Sequence, residues 1–183
     1  AERGHRVIIA DNFSNSSPRV LLRLQRIIGA PVECERLDLR SKSAVVRLFA
    51  RHRFDAVMHF AALKAVGESS QIPLTYYQNN ITGTLVLCEE MARAGVFRLV
   101  FSSSATVYGD PASVPLREDF PTSATNPYGR SKLMVEEILL RSSNLPQIGS
   151  EKRMLLEGES TPIQMQLALH GGIQRNYYNT IIS

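Results

Sequence analysis

Cysteine is scarce in this 183-residue chain: only Cys34 and Cys88 occur, and no C-x-x-C. That excludes a disulfide framework and a cysteine-based zinc site. His5, His52 and His170 share no metal-ligand spacing, and His59 sits in an apolar run as a core residue, so no metal is expected. No apolar stretch is long enough to span a membrane, and no signal peptide is visible. Gly and Pro are not in excess, and there is no internal repeat or low-complexity tract. A glycine-rich phosphate loop is also missing: neither G-x-G-x-x-G nor G-x-x-G-x-x-G occurs. Lys and Arg exceed Asp and Glu by 21 to 17, a formal net charge of +4, but they are scattered among the acids. This is the pattern of a solvated surface, not of a nucleic-acid partner, and an anionic cofactor or substrate would need only a few of these charges. The expected setting is a reducing cytosol.

What is present is ordinary globular composition, 44% apolar and 21% charged, in a chain long enough for one domain with a real core. Strand and helix patterns alternate. Val7-Ile8-Ile9-Ala10 is a β-prone run ending at Asp11. Pro18 to Ile28 is helical, with Leu21, Leu24 and Ile28 on one face. Val32 to Leu39 reads as a strand and Ser41 to His52 as a helix. Ala56 to Phe60 is a buried strand, followed by a long helix from Pro73 to Ala94. Its apolar stripe is Tyr77, Ile81, Leu85, Cys88 and Ala92, and Gly95 is its stop signal. Phe97 to Phe101 is the next strand. After the helix that ends near Leu140 the rhythm is lost, and no clear strand follows. We therefore expect an α/β fold, a Rossmann-like doubly wound parallel sheet lacking its first strand and glycine-rich loop. Residues 1–145 form the partial dinucleotide-binding domain, and 146–183 form a divergent, poorly ordered tail.

Ligands of such sheets lie at the carboxyl ends of the strands. These ends hold Asp11, Asp38, Phe60-Ala61-Ala62 and Ser102-Ser103-Ser104. The strongest chemical signal is Ser104 followed by Tyr128-Gly129-Arg130-Ser131-Lys132. Asn126-Pro127 is a good helix start, so Tyr128 and Lys132 share one helical face one turn apart. A tyrosine has a free pKa of about 10 and becomes an acid/base near neutrality only if its phenolate is stabilised. A neighbouring ammonium, or a cationic nicotinamide ring, supplies that stabilisation. Ser104 can hydrogen-bond the same substrate oxygen. The group suits proton removal from an alcohol while hydride leaves its carbon.

Asp11 ends an early strand, where an acid commonly binds an adenosine ribose and favours NAD. Such an acid follows the phosphate loop by about 20 residues, and counting back from Asp11 runs off the start of the chain. Either the loop is missing, or Asp11 is a turn or capping residue. Asp38 occupies an adenine-contact position, equally explained as a cap for the helix at Ser41. Lys64 alone is uninformative.

The residues also resemble a known family. His59-Phe60-Ala61-Ala62-Leu63-Lys64-Ala65-Val66-Gly67-Glu68-Ser69 is similar to the UDP-glucose 4-epimerases of the extended short-chain dehydrogenases/reductases. So are Phe101-Ser102-Ser103-Ser104-Ala105-Thr106-Val107-Tyr108-Gly109 and Asn126 to Lys132. Asp11-Asn12-Phe13 and Tyr76-Tyr77-Gln78-Asn79-Asn80 agree. The resemblance spans about Gly4 to Leu140. It implies an NAD-dependent isomerase that interconverts UDP-glucose and UDP-galactose through a transient 4-keto sugar. It places Ser104, Ala105, Thr106 and Tyr128 against the sugar, with Ser104, Tyr128 and Lys132 catalytic. Tyr128 takes the proton of the 4-hydroxyl, and Lys132 holds the nicotinamide ribose and lowers the Tyr128 pKa. It maps Asp11, Asn12, Phe13, Ser14, Asn15, Asp38, Leu39, Phe60, Lys64, Asn79 and Lys132 onto NAD contacts. It also implies a homodimer through Pro73 to Ala94 and Asn126 to Leu140.

By the same resemblance, the nucleotide-sugar 4,6-dehydratases of the superfamily carry an Asp-Glu pair where this chain has Ala105 and Thr106. That difference argues for epimerisation over dehydration. Other readings are a nucleotide-sugar decarboxylase of the same superfamily, and an inactive fragment, truncated at both ends, that only pairs with a full-length subunit.

Overall fold

The apolar run Val7–Asp11 forms strand β1, and four of its five residues are buried. In the computed structural model the described residues are 4–117, 119–142 and the backbone of 180–182. Helix α1 (Arg19–Ile28) returns the chain to β2 (Glu33–Arg36). Helix α2 (Lys42–Arg51) leads to β3 (Ala56–His59). A short α3 (Val66–Gln71) and α4 (Pro73–Tyr77) follow. A π-helical turn, Gln78–Thr82, then runs straight into α5 (Gly83–Arg93). Strand β4 (Leu99–Phe101), a 3₁₀ turn at Ala105–Tyr108 and helix α6 (Pro127–Ser142) complete this part. Last comes β5 (Thr180–Ile182).

The sheet order is β2-β1-β5-β3-β4. β1 pairs parallel with β2, and β3 parallel with β4. The first crossover moves one way along the sheet and the last moves the other, so the winding reverses between β1 and β3. This is the doubly wound arrangement expected, with one correction. A strand does follow the last helix, and it runs antiparallel to both neighbours in the slot between β1 and β3. Without it each inner edge would present an unpaired row of backbone N–H and C=O groups in the middle of the sheet. Thr180-Ile181-Ile182 is a β-branched run, suited to a pleated central position. It was hidden in the sequence because three residues are too few to show a period. The remainder of the 146–183 stretch lies outside the described residues.

Alternation along the strands decides which face is dry. Ile8, Ala10, Val57, Leu99 and Phe101 form one core with Leu48 of α2, Leu87 and Met91 of α5, and Val135 and Leu139 of α6. Met58 and Val100, on the opposite face, stay part-exposed, and α1 contributes no fully buried side chain.

The long helix departs from the pattern in the sequence. Its buried residues are Tyr76, Asn80, Gly83, Thr84, Leu87, Glu90 and Met91, while Leu85 of the apolar stripe is 41% exposed. The π turn widens the helix and shifts the face that follows it. Three of the buried residues, Asn80, Thr84 and Glu90, are also polar, so a search for apolar period could not find them. Gly95 does stop α5, in a left-handed conformation (φ 73°), with Val96 N–H reaching back to Met91 O at 2.8 Å.

The central slot yields one prediction. Ile181 is in register with Ile8 on one side and Val57 on the other. Proline there removes a ladder donor from a central strand. One lost bond is worth about 1 kcal/mol, so the melting midpoint of Ile181→Pro should drop by at least ~2–4 °C in a chain this size. Ile181→Val should melt like the parent in the same calorimetric scan.

Candidate active site

Helix α6 starts where Asn126 caps it: Gly129 N–H donates to Asn126 Oδ1 at 2.8 Å, with Pro127 as the first helical residue. Its first turns press onto the 3₁₀ turn at the end of β4. A Cβ on Gly129 would stand 2.7 Å from Thr106 O, so only glycine permits the approach. This contact carries Tyr128 to the strand ends.

Ser104 caps the 3₁₀ turn. Its Oγ accepts from Thr106 N at 3.2 Å and from Thr106 Oγ1 at 2.9 Å. Tyr128 is 8% exposed. Burial holds its phenol above the usual tyrosine range, and hydrogen bonding with Ser104 works against that shift. Lys132, one turn on, is buried at 4% exposure, and its Nζ donates to Ser102 O at 2.7 Å. The ammonium also lies 4.6 Å above the centroid of the Phe101 ring. Burial pushes its pKa down to about 7, the Lys64 charge adds to this, and Glu136 opposes it. Ser104, Tyr128 and Lys132 thus converge as the spacing suggested. Burial raises the Tyr128 pKa and Ser104 lowers it, while the Lys132 ammonium is engaged by a backbone carbonyl. A desolvated cation takes the nearest strong acceptor.

Most residues mapped onto a dinucleotide follow the ends of β1, β2 and β3, while Asn79 lies in the π-helical turn. Asp11 is 5% exposed. Its carboxylate accepts from Phe13 N at 2.7 Å and from Ser16 Oγ at 3.2 Å. Phe13 sits at φ 55°, a left-handed conformation unusual outside glycine. Ser14 N–H donates to Asn12 Oδ1 at 2.9 Å, and Asn15 Nδ2 reaches Ala62 O at 3.3 Å. The Asp11–Asn15 loop is therefore tied to the segment after Phe60. Asp38 is held below the usual carboxylate range mainly by Arg40, whose Nη2 is 2.6 Å away, with a further hydrogen bond from Asn12. Leu39 packs on the core and against Gly83. Asn79 Nδ2 donates to Asn80 Oδ1 at 3.1 Å.

The sequence reading passed over a buried polar network that supports this site. Asn80 Oδ1 accepts from Leu63 N at 2.8 Å, while its Nδ2 donates to Leu63 O at 3.0 Å and to Ser131 Oγ at 2.9 Å. Ser131 Oγ donates in turn to Tyr128 O at 2.7 Å. Tyr76 Oη accepts from Ala65 N at 3.0 Å and donates to a Glu68 carboxylate oxygen at 2.6 Å. Lys64 is bracketed between these two anchored residues. Thr84 Oγ1 donates to Asn80 O at 2.6 Å and lies 2.8 Å from His59 Nε2. His59 is core, as its apolar run indicated. Ser103 and Glu136, also overlooked, form a buried pair beside Lys132. One signal was available: Tyr128, Lys132 and Glu136 fall at i, i+4 and i+8 on one helix face. Among the described residues, no group of three or more His, Cys, Asp or Glu could hold a metal ion, and no helix is long and apolar enough to cross a membrane.

Residues 1–148 match the model of the NAD dependent epimerase/dehydratase family. The UDP-glucose 4-epimerase of Neisseria meningitidis serogroup C is 57% identical over 137 residues, covering 74% of this chain and 40% of that protein. The Bacillus subtilis UDP-glucose 4-epimerase is 54% identical over 136 residues, with coverage of 74% and 40%. The chain thus spans about 40% of the length of these curated relatives. The crystal structure of UDP-glucose 4-epimerase from Bifidobacterium longum in complex with NAD+ and UDP superposes with a TM-score of 0.74. Its sequence identity is 48%, and the match covers 76% of this chain and 42% of that one.

Two predictions test the polar support. Asn80→Ala takes a partner from the part-buried Leu63 N and Leu63 O and from the buried Ser131 Oγ, which keeps its bond to Tyr128 O. With ~1–3 kcal/mol for a buried group left unsatisfied and less for the part-buried ones, urea unfolding should show a loss of about 1–3 kcal/mol. The second concerns pH. Burial, with the Lys132 charge adding, pushes the His59 pKa down to about 3 from 6.5. The unfolded chain therefore protonates first as pH falls, so the contribution is intact above pH 6.5 and is lost progressively toward pH 3. Melting midpoints should decline between about pH 6.5 and pH 5, above the main carboxylate titrations, and His59→Gln should flatten that decline.

Proposed function

The chain belongs to the NAD dependent epimerase/dehydratase family, and from that premise we propose that it carries the catalytic part of a UDP-glucose 4-epimerase. The reaction interconverts UDP-glucose and UDP-galactose through a 4-keto sugar. The observation that carries this reading is the convergence of Ser104, Tyr128 and Lys132 at the carboxyl end of β4, against helix α6. The presence of Ala105 and Thr106, not carboxylates, beside Ser104 supports epimerisation over loss of water.

The residues fit a dinucleotide at two places. The loop of Asp11, Asn12, Phe13, Ser14 and Asn15, with Asp38 beside it, suits the adenosine half. Phe60, Lys64, Asn79 and Lys132 suit the nicotinamide half. NAD supplies, when bound, reversible hydride acceptance from the sugar C4. The protein's own part is the proton. Tyr128 takes it from the 4-hydroxyl oxygen and later returns it to that oxygen. Ser104 hydrogen-bonds the same oxygen and orients it. Lys132 holds a ribose hydroxyl and adds positive charge near the phenolate. Burial of Tyr128 excludes the water that would otherwise compete for this proton.

Two further elements of the reading concern setting. Both cysteines are free thiols, which suits the cytosol. Leu74, Leu85 and Met134 are 75%, 41% and 42% exposed on α4, α5 and α6, which suits a homodimer through these helices. A second reading, a chain that pairs with a full-length subunit without turning over substrate, is favoured by β5. As an antiparallel strand it ends away from the ligand side, so it delivers no strand-to-helix turn to a pyrophosphate at the point where the winding reverses.

Calorimetric titration of NAD into the 183-residue chain separates the two readings. Binding, followed by UDP-galactose turnover that Tyr128→Phe lowers by about 10²–10⁴-fold without loss of fold, supports the epimerase. A folded chain that binds no NAD but co-purifies with a full-length subunit supports the second. Turnover of UDP-glucuronate in place of UDP-galactose would replace the epimerase with a decarboxylase.

A further inference from the structure

The three serines at the end of β4 are each held by a different partner. Ser102 gives its carbonyl to Lys132 Nζ at 2.7 Å. Ser103 Oγ donates to Glu136 Oε1. Ser104 is left to Thr106 and Tyr128. Two side chains of α6, one turn apart, therefore pin consecutive residues of the segment that presents Ser104. Ser103 and Glu136 are both buried, at 5% and 9% exposure.

We propose that Glu136 is a positioning residue of this site: a buried carboxylate that favours the charged form of Lys132 and, through Ser103, fixes the strand end that carries Ser104. The inference rests on the reading of Ser104, Tyr128 and Lys132 as the reacting group. Its physical basis is the cost of a buried ammonium. An unpaired one sheds its proton, because a single carbonyl and an aromatic ring do not replace water. The groups around Lys132 come from four places. His59 on β3 is neutral and core-buried. Lys64, in the loop after β3, carries like charge and works against Lys132. From β4 come the Ser102 carbonyl and the Phe101 ring. From α6 itself come Tyr128, one turn before, and Glu136, one turn after. Among the described groups acting on Lys132, Glu136 is the anion.

The pair also explains the chemistry of Glu136. Burial raises its pKa, while the Ser103 hydrogen bond and the Lys132 charge pull it back toward the ionised form. Lys132 and Glu136 thus support each other's charge within one helix face. A neutral Lys132 could not favour the Tyr128 phenolate by its charge.

The test is the titration of Lys132, followed by NMR of ε-¹³C-labelled lysine in the whole chain and assigned with Lys132→Arg. Glu136→Gln keeps the side-chain shape and can still accept from Ser103, but it removes the charge. The Lys132 pKa should drop by about 1 unit or more, since the opposite charge one helical turn away is lost. Ser103→Ala, which keeps the charge, should move it by less. An unchanged titration in Glu136→Gln, or an equal drop in Ser103→Ala, overturns the proposal. If Glu136→Gln does not fold, the reciprocal measurement decides. In Lys132→Met the Glu136 carboxylate pKa should rise, because the coupling between two sites is mutual; a fixed value overturns the proposal. None of these readings needs substrate, so absence of turnover would sink the proposed function and leave this result standing.

Discussion

The structure of the site depends on one contact, the seating of α6 on the end of β4. Gly129 lets the helix backbone reach Thr106, and Lys132 ties the helix to Ser102 through a buried charge. Everything chemical follows from that seating. It brings a tyrosine from one element against a serine from another, and it removes both from bulk water. The same burial that excludes water pushes the lysine toward neutrality and the tyrosine away from its phenolate. A site of this kind must add charge of its own to remain useful. The acid one turn further along the helix, at Glu136, is where this chain has it.

Around that contact the protein spends polar groups, not apolar ones. Asn80 satisfies both backbone groups of Leu63 and the hydroxyl of Ser131, whose own proton goes to the carbonyl of Tyr128. It sits in a π-helical turn, where the widened backbone aims a side chain that a regular helix would carry elsewhere. Tyr76 anchors the same loop two residues further on. A fully satisfied network of this sort fixes one geometry, since any displacement leaves several buried groups without partners at once.

The centre of the sheet shows the opposite economy. The slot where the winding reverses is the place at which doubly wound sheets receive a ligand. Here three residues from the far end of the chain fill it, in the antiparallel direction. The facing backbone edges of β1 and β3 are paired, so the demand for pairing is met. The demand of a phosphate for a strand leading into a helix start is separate, and an antiparallel strand does not meet it. Stability and ligand recognition are thus uncoupled at this position.

Much was legible in the sequence, for identifiable reasons. The four parallel strands, the helices between them and the start of α6 come from local signals: apolar runs, helical period, an Asn-Pro cap and the Gly95 stop. Those depend only on neighbours in the chain. The trio of Ser104, Tyr128 and Lys132 was legible because two members share a helix face and the third ends a strand. The tertiary structure alone decided the rest. The buried face of the long helix is polar in part and shifted by a π turn, so no count of apolar residues could find it. Asn80 and Glu136 matter through partners 17 to 51 and 33 residues away respectively. The strand Thr180–Ile182 forms because two sheet edges distant in sequence leave a slot between them. Local patterns record what a residue prefers; long-range pairing records what the assembled backbone requires, and that requirement exists only once the chain has folded.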